Sequence, residues 1–104
     1  IYISGKITGL PIKEAMQNFE DAEVMLNKLN FDTIFNPFKV CKDLDPNTAT
    51  WDDYMIKNIE VLLKCDSIFM LSNWQDSKGA RLEFDIAKSL GLKIYHELKR
   101  ELLL

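Results

Sequence analysis

Glu83 lies on an apolar stripe with Ala80, Phe84 and Ala87, a spacing that brings all four to one face of a helix. A carboxylate there has two explanations. It lies at the stripe's edge and reaches water or a cation such as Lys78 or Arg81, or it is held in a crevice at a helix N-terminus as a nucleophile or base. Asn58 raises a parallel question. It stands four residues after Tyr54 and four before Leu62, on the apolar side of another helical pattern, as a core amide with a hydrogen-bond partner or as a ligand contact.

Ser77-Lys78-Gly79 leads straight into the helix that carries Glu83. A serine hydroxyl and unpaired backbone N–H groups at such a helix start suit an anionic group such as phosphate, and equally describe an ordinary serine N-cap. Trp74 and Trp51 fall in or near loops, where a flat ring either stacks on a nucleobase or completes the core. Asp52, Asp53 and Asp76 lie near helix ends, where carboxylates cap or complement the helix dipole. His96 is the single histidine and has no Cys, Asp or Glu cluster at ligand spacing around it, so neither a metal nor a cofactor is expected.

Elements that would position these groups can be read in order. Ile1 to Ser4 is a short β-rich run, and Gly5 to Pro11 (GKITGLP) is a loop. The chain opens at once on strand residues, which leads us to expect an initiator methionine or a short extension lost ahead of Ile1. From Ile12 to about Asn30, Met16, Phe19, Ala22, Leu26 and Leu29 recur at helical steps. Phe31 to Phe35 reads as a second strand, stopped by Asn36-Pro37, and Phe38 to Ala49 as a connection without periodicity.

Thr50 with Asp53 forms a capping-box pattern for a helix to about Lys64, with Trp51, Tyr54, Met55, Ile59, Leu62 and Leu63 on its apolar face. Ser67 to Leu71 is an unbroken apolar run of the kind buried on both faces of a parallel sheet. Helical spacing returns from Gly79 to Leu90, Gly91 supplies a C-terminal cap, and Leu92 to Tyr95 makes a fourth strand. Alternating strands and helices imply right-handed crossovers and an α/β, flavodoxin-like three-layer domain with a four-stranded parallel sheet in the order 2-1-3-4.

Ligands of open α/β sheets bind beyond the carboxyl ends of the strands, where strand order reverses. In that layout the crevice lies between the loop Ser4-Gly5-Lys6 and the loop Ser72 to Gly79. Beyond Tyr95, HELKRELLL would form a helical turn or two, its final leucines packing on the core or on a second subunit.

Composition limits the function classes. The 104 residues, 47% hydrophobic and 28% charged, suit one domain spanning residues 1–104. A net charge of -3 offers no cationic field for duplex nucleic acid. Cys41 and Cys65 are too few for a disulfide scaffold and read as structural thiols in a reducing cytoplasm. No apolar stretch approaches the roughly 20 residues that cross a bilayer, and no export signal is visible, so no membrane partner is expected.

Three stretches together carry a family resemblance: YISGKITGLP from Tyr2, Asn36-Pro37, and CDSIFMLSNWQDSKGARLEFDIAKSLGLKIY from Cys65 to Tyr95. The chain resembles the nucleoside 2-deoxyribosyltransferase-like superfamily, most closely its short branch of phage and bacterial domains. The most specific part is the Ser-x-Gly-x-x-x-Glu pattern of Ser77, Gly79 and Glu83.

The resemblance implies that Glu83 is the nucleophile that attacks C1′ of a deoxyribose, leaving a glycosyl-enzyme for water or another base to resolve, a logic shared with retaining glycosidases. It makes Ser77 a contact to a 5′-phosphate, since transferases of the superfamily carry aspartate there and take unphosphorylated nucleosides. It puts Tyr2, Ser4, Gly5 and Lys6 beside the sugar or phosphate and Trp74 beside the base. Lys6 stands where the short branch commonly has proline. Asn58 stands where the family has an aspartate that works with the nucleophile, and an amide cannot transfer a proton as a carboxyl group does.

The expected function is therefore an N-glycosidase or deoxyribosyltransferase acting on a deoxynucleoside or its 5′-monophosphate, in a homo-oligomer whose neighbouring subunit completes the pocket. The alternative is a catalytically silent nucleotide-binding module. A flavin-binding or receiver domain is a third class, carried by strand order alone.

Overall fold

Period-two alternation at the N-terminus sets the layers. The computed structural model describes residues 1–98. Ile1 and Ile3 turn to one face, where they join Phe19, Ala22 and Leu26 of helix α1 (Ile12–Lys28), together with Phe69 and Leu71. Tyr2 turns to the other, against Leu62 of α3 (Trp51–Leu62) and Ala80 and Ala87 of α4 (Lys78–Ser89). Helices therefore cover both faces of the sheet.

Strand β1 (Tyr2–Ser4) pairs in parallel with β2 (Ser67–Met70), Tyr2 opposite Ile68 and Ser4 opposite Met70. β2 pairs in parallel with β3 (Lys93–His96), Ile68 opposite Ile94. Every residue of β2 is buried, as its continuous apolar run requires of a central strand. β3 is an edge strand of largely exposed residues and begins one residue later than expected.

The expected second strand does not form. Phe35 alone bridges Tyr2, donating its N–H to Ile1 O at 2.9 Å and accepting from Ile3 N at 3.0 Å. The next residue already leaves the sheet: Asn36 Oδ1 accepts from Phe38 N at 3.0 Å and caps a short helix, α2 (Pro37–Val40), with proline in its first turn. Proline has no N–H for a ladder, so pairing stops after one bridge. The four-stranded flavodoxin-like sheet in the order 2-1-3-4 is thus corrected to three parallel strands, among the described residues, in the order β1-β2-β3.

Other elements depart less from expectation. α1 buries Ala15, Phe19, Ala22 and Leu26, whereas Met16 and Leu29, expected on the same stripe, are exposed. The capping box of α3 is present: Asp53 N donates to Thr50 Oγ1 at 3.2 Å and Thr50 N to Asp53 Oδ2 at 2.8 Å. Residues 99–104, and with them the terminal leucines, lie outside the described residues. Among the described residues no helix is long and apolar enough to cross a membrane.

Candidate active site

Residues two apart on a strand share a face, so β1 aims Tyr2 and Ser4 together at α4. On α4 the inward stripe is Ala80, Glu83 and Ala87. The result is a three-residue constellation: Tyr2 Oη donates to Glu83 Oε2 and Ser4 Oγ to Glu83 Oε1, each at 2.7 Å. Glu83 is only 4% exposed and forms no salt bridge among the described residues. The carboxylate on the apolar stripe is held by hydroxyl groups and not by Lys78 or Arg81.

Burial raises the Glu83 carboxyl to about 7, against the opposing pull of the Ser4 and Tyr2 hydrogen bonds, which favour the ionised form. Burial first, then the neighbouring Glu83 charge, pushes the Tyr2 phenol well above its ordinary value. Tyr2 therefore remains a protonated donor wherever Glu83 titrates.

Glu83 opens on a cavity of about 490 Å³ beyond the carboxyl end of β1, within the size range of small-molecule sites. Tyr2, Gly5, Asn58, Ser77, Gly79 and Glu83 all line it, and so does Trp51. Ser4 reaches the site through its bond to Glu83. Close packing fixes two of the walls. A Cβ on Gly5 would stand 2.5 Å from Leu71 Cδ1 and 2.8 Å from Leu71 Cβ, and one on Gly79 would stand 3.0 Å from Met55 Sδ.

Ser77 caps α4, its Oγ accepting from Ala80 N at 3.1 Å. Lys78 Nζ stands 4.4 Å over the Trp51 ring. Lys6 and Trp74 are not among the cavity residues. The Lys6 N–H donates to Asn73 Oδ1 at 3.0 Å and ties the two crevice loops together. Trp74 stacks on Phe84 at 4.5 Å and lies beside His96. The aromatic walls of the cavity come from Trp51, Tyr54, Phe19 and Phe38 instead.

Cys41 also lines the cavity, and its thiol donates to Asn58 Oδ1 at 3.2 Å. Burial raises the Cys41 thiol, opposed by the Lys57 charge, with the Glu83 charge adding to the rise. Nothing periodic in Phe38 to Ala49 marks this cysteine. The available signal was Asn36-Pro37, which starts α2 and so delivers Cys41 at its C-terminal end.

A family model described as a domain of unknown function (DUF4406) matches residues 1–96. The chain belongs to this family. The matched span of this DUF4406 member contains the whole Tyr2–Ser4–Glu83 constellation and every residue of the cavity wall. The family description carries no link to the nucleoside 2-deoxyribosyltransferase-like superfamily. No curated protein and no solved structure matches this DUF4406 chain.

Proposed function

We propose that this DUF4406 domain cleaves or transfers the N-glycosidic bond of a deoxynucleoside or deoxynucleoside 5′-monophosphate, with Glu83 as nucleophile. The observation that carries the proposal is a single buried carboxylate, held by two O–H donors, at the wall of a cavity of about 490 Å³. Hydroxyl donors fix the carboxylate's orientation and leave further lone pairs free to attack. An ionised Glu83 oxygen bonds to C1′ as the C1′–N bond breaks. The base departs with the electron pair and takes a proton from solvent. Water or a second base then attacks C1′ and releases the carboxylate.

Trp51 and Tyr54 supply the flat apolar wall for the base, and the first turn of α4 at Lys78 and Gly79 supplies N–H groups for a phosphate. The exposed apolar side chains of Ile12, Met16 and Trp51 support assembly with a second copy. Two free thiols support a reducing cytoplasmic setting.

One observation favours a second reading. Glu83 is the only carboxylate among the described residues that line the cavity, and Asn58 cannot relay a proton. A silent module would bind nucleotide without turnover.

Chromatography of free base after incubation with a panel of deoxynucleosides and their 5′-monophosphates separates the two. Base release by the wild-type chain, lost in Glu83→Ala, is the expected result. Nucleotide binding by calorimetry with no base released by the wild type would leave the binding module.

A further inference from the structure

Asn58 is more than nine-tenths buried and lines the cavity, yet only half of its amide has a protein partner. Its Oδ1 accepts from the Cys41 thiol at 3.2 Å. The same sulfur lies 4.0 Å from Tyr54 O, much the longer contact, so the thiol proton belongs to Asn58. No hydrogen bond within the described residues reaches Nδ2. No fully buried side-chain nitrogen or oxygen among them lacks a partner, so Nδ2 retains some exposed surface, on a residue that lines the cavity.

We propose that Cys41 is a positioning residue that locks the Asn58 amide with its two N–H donors turned into the cavity, so that the ligand must present a hydrogen-bond acceptor to Asn58. An amide is free to turn over and exchange oxygen for nitrogen; a thiol sulfur donates and accepts weakly, and with its proton directed at Oδ1 at 3.2 Å it favours the orientation that leaves Nδ2 for the cavity. With Oδ1 engaged, the cavity meets a donor only. A carbonyl oxygen, an unprotonated ring nitrogen or a phosphate oxygen satisfies it, whereas an ammonium or exocyclic amine leaves it unpaired at a cost.

The inference deepens the nucleotide reading and rests on it for the ligand class, but the lock itself belongs to the free protein. Cys41 ends α2 and Asn58 sits mid-way along α3, so the thiol joins the end of the short helix to the site.

The test follows the Asn58 side-chain amide in nitrogen-15 spectra of the full chain, its pair identified by loss in Asn58→Leu. In the free protein, Cys41→Ala is expected to shift the pair and bring its two proton resonances together, and Cys41→Ser, which restores an O–H donor, to return them to separate positions. Addition of deoxyadenosine or deoxycytidine 5′-monophosphate is expected to move the pair downfield in the wild type. Asn58→Leu is expected to weaken binding about tenfold, the loss of one well-made hydrogen bond.

A pair unchanged by Cys41→Ala overturns the lock, and full-strength binding by Asn58→Leu overturns the acceptor requirement. If neither nucleotide binds the wild-type chain, the nucleotide reading and the acceptor assignment fail together, while the free-protein spectra still decide the lock.

Discussion

Tyr2 Oη and Glu83 Oε2 meet at 2.7 Å although 81 residues separate them in the chain. The phenol stays protonated because burial and the carboxylate's own charge both oppose its ionisation. Burial raises the proton affinity of the α4 carboxylate, and the hydroxyl groups of the first strand hold that rise in check; most consequences of the site follow from that pairing.

Activity should rise with pH through about 7, where the Glu83 carboxyl ionises, because only the ionised form attacks. Tyr2→Phe removes a donor that favours ionisation, so the acidic limb of the base-release profile should move to higher pH. Ser4→Ala should move it the same way. Profiles of the three chains check this, and a limb that stays in place in both variants would remove Glu83 from the rate-determining ionisation.

Stability should fall across the same window. The folded carboxyl keeps its proton up to about pH 7, above its ordinary value of 4.5, so unfolding releases a proton between those values and stability declines as pH rises through them. The full span corresponds to about 3 kcal/mol. Urea denaturation at pH 5 and pH 8 should show this loss in the wild type and its absence in Glu83→Gln.

Asn58→Asp should raise turnover and raise KM. The carboxyl group can transfer a proton that the amide cannot, while its oxygens replace the N–H donors that face the cavity. Steady-state kinetics with a deoxynucleoside 5′-monophosphate separate the two effects. An unchanged turnover would mean that proton transfer at this position does not limit the reaction.

Gly5→Ala should lower stability by about 1–3 kcal/mol, because the new methyl group would meet Leu71 at its Cβ, Cγ and Cδ1. Gly79→Ala should cost less, since its neighbour is the flexible Met55 sulfur at 3.0 Å. Thermal denaturation ranks the two, and equal midpoints would show that Leu71 shifts as readily as Met55.

The sequence made the site more legible than the sheet. Glu83 was conspicuous because a carboxylate on an apolar stripe needs partners, and Tyr2 and Ser4 share a face by strand alternation alone. The sheet misled because FDTIF has strand propensity, while what happens next to it is decided by Asn36, whose side chain turns the backbone into α2 after one bridge. Trp74 and Trp51 could not be told apart from their positions near loops. A short 3-10 turn at Trp74–Asp76 lays Trp74 on Phe84, whereas Trp51 at the start of α3 reaches the cavity. Cys41 carried no pattern because its role depends on Asn58, 17 residues further along and in another helix.

The hydroxyl of Ser4 finds its acceptor 79 residues later, which gives the site an order of assembly during synthesis. A chain leaving the ribosome shows Tyr2 and Ser4 before β2 and α4, the elements that cover them. Until residue 83 has emerged there is neither a carboxylate nor a closed cavity wall. The constellation is therefore completed only once α4 has emerged.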